Sequence, residues 1–295
     1  GNIKSAGSDT MVNLVTSWTE SFKKLYPSVV TEVEGKGSGS APPALISGAA
    51  NIGPMSRVMK DQEADDFEKK FGYKPTAVPT SIDMLAVYVH KDNPIASLTL
   101  EQIDAIFSKT RKSGAAREIT TWGDLGLTGE WKDKPISLYG RNSTSGTYGY
   151  FKEHALAKGD FKDTVKEQPG SSAVVQSVAS DKYAIGYSGI GSKTADVRAV
   201  PLAKDAKGAV IEAIPENAYS GKYPLSRLLY IYVNLQPGKE LDPVRREFLR
   251  YILSRQGQED VVKEGYFPLP ARIAADGLKA AGIVGATATE AGAPR

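Results

Sequence analysis

Three times along this chain a strand-like run opens into a loop of hydroxyls and glycine and then a helical stripe, a rhythm that restricts the fold more than any other feature. Ser8-Asp9-Thr10 precedes apolar residues at Met11, Val15, Trp18, Phe22 and Leu25, one helical face that ends at Pro27. Val29–Val33 reads as a strand and runs into Gly35-Lys-Gly-Ser-Gly-Ser40, then a short helix around Pro43–Ile46. Ile136–Tyr139 leads into Arg141-Asn-Ser-Thr-Ser-Gly-Thr147 and a helix from Tyr148 to Leu156. Leu85–Val89 and Leu228–Val233 are unbroken apolar runs, as expected of strands covered on both faces. Thr99-Leu-Glu-Gln102 is a capping box, and Asp242-Pro243 sets a capping residue before a proline in the first turn. Strands alternating with helices predict parallel α/β sheets.

The three loops share one chemistry. Ser8–Thr10, Ser38-Gly39-Ser40 and Ser145-Gly146-Thr147 each place hydroxyls and backbone N–H groups at a helix start, where unpaired donors and partial positive charge favour an anion. Arg141 adds a planar fork of donors suited to a tetrahedral oxyanion. Taken singly, such a loop is as readily an ordinary N-cap with a surface Arg or a glycine turn. If the three converge, they supply most of the donors one dehydrated oxyanion needs.

Other chemistries find little support. The chain has no cysteine, so thiolate metal sites, cysteine nucleophiles and disulfides are excluded. A net charge of +3 and the lack of a long basic stripe argue against nucleic acid. No apolar run reaches the roughly 20 residues of a membrane span. His90 and His154 read as structural, because nothing pairs either with a nucleophile. No Gly-x-Ser-x-Gly elbow occurs, and Gly35-Lys36 lacks the spacing of a nucleotide P-loop. Trp122 and Trp131 are expected to pack rather than stack on bases. No cofactor, metal or catalytic residue is expected. The tail from about Gly282 is Ala/Gly/Thr-rich and is expected to fray.

Ala6-Gly-Ser-Asp-Thr10, Gly35–Ser40, Asn51-Ile-Gly-Pro-Met-Ser-Arg57, Arg141–Thr147 and Ala184-Ile-Gly-Tyr187 together resemble the periplasmic phosphate-binding proteins of bacterial ABC transporters, the PstS family, over essentially the full length. The resemblance is specific because the family's Arg-x-x-x-Ser-Gly-Thr pattern is reproduced with unbroken spacing. It implies an α/β, two-domain periplasmic-binding-protein fold of type II, with a two-stranded hinge and phosphate in the cleft between domains. Placing the crossings near Val87–Lys91 and Leu228–Asn234 gives one domain from 1–87 and 234–295 and an inserted one from 88–233. By this resemblance Ser38, Arg141, Ser145, Gly146 and Thr147 fall on phosphate-contact positions, with Ser8, Asp9 or Thr10 contributing from the first loop. It further implies a monomer that delivers inorganic phosphate to the membrane permease of an ABC transporter, in the periplasm, its signal peptide not in this sequence. A secreted phosphatase or phosphate-scavenging surface protein on the same fold is the alternative.

Two departures bear on selectivity. This chain has Asp9 where well-known members have Thr, and Ser56 where they have Asp. At neutral pH phosphate keeps a proton and sulfate has none. A carboxylate can only accept, so it admits the protonated ligand and repels the ionised one. With Ser56 at the family's acidic position, Asp83 is the first candidate for that acceptor and Asp9 the second. Either is equally readable as a capping or bracing aspartate. Arg57 reads as a surface or bracing residue.

Overall fold

A computed structural model describes residues 1–283, so the tail expected to fray lies, beyond Ile283, outside the described residues. The chain divides into two compact units. One comprises Gly1–Ile82, the short segment Thr144–Gly146, and the chain from Leu228; the other comprises Asp83–Ser143 and Thr147–Arg227.

In the first unit, strand Asn2–Ala6 pairs in parallel with Val30–Glu34, Ile3 opposite Thr31. Between them helix Val12–Leu25 buries Leu14, Val15, Trp18 and Phe22 on one face. Leu25, the last residue of the predicted stripe, is 57% exposed, because the helix runs past the edge of what it packs against. Trp18 places its ring in the core and donates its indole N–H to the Gly257 carbonyl at 2.8 Å. Phe22 meets Phe248 edge to face at 5.2 Å. Phe248 lies on helix Pro243–Ile252, whose first turn is capped by Asp242 accepting from the Arg245 amide. Each such ring, fully buried, contributes about 1.5–3 kcal/mol. A second cluster joins Leu45, Met55, Phe67 and Tyr232. It holds strand Gly53–Met55 against Tyr230–Tyr232 in antiparallel register and so sets the position of Ser56, the next residue.

In the second unit, Leu85–Val89 pairs antiparallel with Ala184–Gly189, Val87 opposite Tyr187. That strand pairs in parallel with Ser137–Arg141. The sheets are therefore mixed rather than wholly parallel. The β–loop–α rhythm signals crossover helices, but it is silent on how strands far apart in the chain are oriented when they meet. Helix Leu100–Phe107 begins at the predicted capping box, Gln102 N–H donating to Thr99 Oγ1 and Thr99 N–H to the Gln102 side chain. Phe107, Phe151, Phe161 and Tyr187 form an aromatic core, with the Phe151 and Tyr187 rings stacked 4.0 Å apart. Trp122 and Trp131 pack edge to face, and Trp122 donates to the Tyr183 carbonyl.

Candidate anion-binding site

The first unit gathers the hydroxyl-bearing loops. Helix Val12–Leu25 starts after the first loop, which carries Ser8 and Thr10, and its N-cap residue Met11 supplies no side-chain cap. Ser8 and Thr10 are buried, and Ser8 Oγ makes no hydrogen bond within the protein although its amide donates to the Pro54 carbonyl. Asp9 beside them is half-buried. The second loop is tied to the first by Gly37 N–H donating to the Gly7 carbonyl at 2.9 Å. Ser38 Oγ accepts from the Ser56 amide at 3.0 Å and lies 3.1 Å from Ser56 Oγ. Both serines are essentially inaccessible, at 0% and 1% exposure.

Segment Thr144–Gly146 closes this group. Gly39 N–H donates to the Thr144 carbonyl, and Gly37, at φ +112°, comes so near that carbonyl that a Cβ would sit 2.8 Å from it. At Gly146 a Cβ would lie 2.2 Å from Ser38 Oγ and 2.4 Å from Ser56 Oγ, inside any tolerable contact. Gly146→Ala must therefore push two buried serines out of place. We expect it to lower stability by about 1–3 kcal/mol, the range for overpacking a close-packed site. Urea denaturation would check this; an unchanged midpoint would mean the serines yield freely.

Arg141 ends strand Ser137–Arg141 in the second unit and is 2% exposed. Its amide donates to Tyr187 Oη at 3.1 Å and its guanidinium to Ser171 Oγ at 3.1 Å. Burial raises the Tyr187 phenol above its ordinary pKa, so it remains a neutral hydroxyl beside this cation. The aromatic core thus places the backbone of Arg141, and the start of helix Ser171–Ser180 places its side chain. Thr147 is fully buried near the start of helix Gly146–His154. Its hydroxyl accepts from Arg227 at 3.0 Å.

Asp83 is also fully buried. One oxygen takes Nε and Nη2 of Arg227 at 2.8 and 2.7 Å, and the other takes the Ile190 amide at 3.1 Å. Burial pushes this carboxyl up, against the pull of Arg227 and the Ile190 amide. Of the ten residues singled out by sequence, Ser38, Ser56 and Gly146 are brought into contact in the first unit, with Ser8, Asp9 and Thr10 in the adjoining loop and Ser145 buried beside Gly146. Asp83 and Thr147 are joined in the second unit through Arg227, while Arg141 is placed by Tyr187 and Ser171. Sequence reading passed over Arg227, Ser171 and the role of the Tyr187 hydroxyl. The available signal was a charged residue heading an apolar strand, Arg227 before Leu228–Val233. Arg57 is a bracing residue, its fork closed on both oxygens of Glu63 at 2.7 and 3.0 Å. His90 accepts from the Asp92 amide, and His154 packs on the Tyr150 ring.

A family model described as a PBP superfamily domain matches residues 1–256. A phosphate-binding protein PstS of Pseudomonas aeruginosa is 58% identical over 283 residues, covering 96% of this chain and 88% of that protein. The protein of the same name from Staphylococcus haemolyticus is 31% identical over 285 residues, covering 95% and 84%. Among solved structures, a Clostridium perfringens protein assigned as a phosphate ABC transporter substrate-binding protein, with bound phosphate, is 27% identical with a TM-score of 0.77, over 92% of this chain and all of that one. An ABC-type phosphate transport receptor from Vibrio cholerae, 24% identical with a TM-score of 0.69 over 91% of this chain and all of that one, bears on the fold alone.

Proposed function

This chain belongs to the PBP superfamily and, within it, to the PstS family of phosphate-binding proteins, and from that premise we propose that it captures inorganic phosphate and hands it to an ABC transporter permease. The reading makes it a binder rather than an enzyme, acting in the periplasm as a monomer. We assign to phosphate the residues Ser8, Thr10, Ser38, Ser56, Arg141, Ser145, Gly146 and Thr147. The observation that carries this assignment is the burial of Arg141 and Thr147 and of Ser8, Thr10, Ser38, Ser56 and Ser145 in the first unit. Hydroxyls of ordinary loops face water, and removing so many from it is costly unless each is matched by a partner. A phosphate dianion presents unprotonated oxygens that accept hydrogen bonds from such donors, each charge-assisted and strengthened where water is absent.

Rejection of sulfate requires a carboxylate that accepts the phosphate proton. Asp83 is engaged by Arg227 and the Ile190 amide, and for this role we propose Asp9, half-buried in the loop that also carries Ser8 and Thr10. Calorimetric titration of ligand-free protein should give saturable phosphate binding and no sulfate heat. The Asp9→Asn variant should lose most of that discrimination, since an amide can donate to a fully ionised oxyanion. Absence of phosphate heat and of a thermal shift in the unaltered protein would overturn the function. Intact sulfate rejection in Asp9→Asn would overturn the role of Asp9 alone.

A further inference from the structure

Asp83, Thr147 and Arg227 are three of the four residues of the second unit at which the chain enters or leaves it, Ser143 being the fourth: Asp83 follows Ile82, Thr147 follows Gly146, and Arg227 precedes Leu228. They are joined to one another. Arg227 puts Nε and Nη2 on one oxygen of Asp83, and Nη2 also reaches Thr147 Oγ1 at 3.0 Å. Its guanidinium lies over the Tyr150 ring, 5.4 Å from the centroid, and Tyr150 Oη donates to the Ser226 carbonyl at 2.6 Å. Nearby, Tyr223 Oη donates to the Leu85 carbonyl at 3.0 Å. The fork of Arg227 is thus held by a carboxylate, a ring and a hydroxyl, and the residue is 6% exposed.

This geometry decides the sense of one hydroxyl. A guanidinium has donors only, so Thr147 Oγ1 must accept from it. The single hydrogen of that hydroxyl is then turned away from Arg227, so that the group donates on another side. A fixed donor suits a phosphate oxygen and needs no reorientation on binding. We propose that Arg227 is a positioning residue of the phosphate site, which orients the Thr147 hydroxyl as a donor, and that Asp83 serves as its counter-ion rather than as the acceptor of the phosphate proton. The proposal rests on phosphate being the ligand.

Its test is a double-mutant cycle in phosphate affinity on the whole chain, with Arg227→Met and Thr147→Val. Each single variant should weaken phosphate binding roughly tenfold to a hundredfold, the worth of a hydrogen bond to a charged group. The double variant should be little weaker than either single one, because both remove the same oriented donor. Thr147→Ser, which keeps the hydroxyl, should restore most of the affinity. Fully additive losses, or unchanged affinity in Arg227→Met, would overturn the positioning role. If Arg227→Met does not fold, Asp83→Asn combined with Arg227→Met removes both charges and replaces it throughout the cycle. Sulfate heat appearing in Asp83→Asn would overturn the counter-ion assignment. Failure of the unaltered protein to bind phosphate would strike the functional reading itself, a distinct result.

Discussion

Replacing Arg141 with Met should weaken phosphate binding by roughly thirtyfold to several thousandfold while leaving the ligand-free fold intact. The magnitude follows from the cost of truncating one partner of a buried, hydrogen-bonded charge pair, about 2–5 kcal/mol. Arg141 is 2% exposed, so its charge meets a ligand with little screening by water. The fold should survive because the Arg141 backbone is held independently of its side chain, through its amide and Tyr187 Oη. Met keeps an unbranched stem of similar reach and leaves Ser171 Oγ as a small polar group that water can satisfy. Arg141→Lys should fall between the two, keeping the charge and losing the planar fork. Calorimetry gives the affinities, and thermal unfolding without phosphate gives the control. A Met variant that binds within threefold of the unaltered protein would remove Arg141 from the site.

The second large effect is on stability. Asp83→Ala deletes the carboxylate that takes two donors of Arg227 and the Ile190 amide, all buried. A guanidinium stays charged in proteins, so the variant leaves a buried cation without this carboxylate. Breaking a buried pair from one side costs about 3–5 kcal/mol, which for a protein of this size lowers the melting temperature by roughly 6–20 °C. Asp83→Asn should be milder, because the amide oxygen still accepts. The pair as a whole need not stabilise the protein: Asp83→Leu with Arg227→Met should recover much of the loss. Thermal unfolding of the three variants orders them. If Asp83→Ala melts within 2 °C of the unaltered protein, the ion pair is not holding Arg227 as described.

Much of the site was legible as composition at fixed places. Hydroxyls and glycine at Ser8–Thr10, Ser38–Ser40 and Ser145–Thr147 stand out because each group lies within a single loop. The spacing from Arg141 to Thr147 is equally local. Helix starts at Thr99 and Asp242 were readable for the same reason, since a cap and its amide lie three residues apart. Leu25 shows the limit: periodicity names the face of a helix, whereas its exposure depends on where the neighbouring surface ends. The antiparallel pairing of Leu85–Val89 with Ala184–Gly189 joins strands about 100 residues apart, and no local pattern specifies it.

The sequence by itself determined the α/β class, the three hydroxyl-and-glycine loops and the buried strands, because hydrophobic period, turn chemistry and capping act over a few residues. Tertiary structure alone decided which groups Asp83 meets. Asp83 and Arg227 stand 144 positions apart, and a carboxylate's task as counter-ion or proton acceptor depends on which charge it meets across that separation. The same holds for Gly146, which reads in sequence as a flexible turn residue. In the fold it is the one residue small enough to let Ser38 and Ser56 close together.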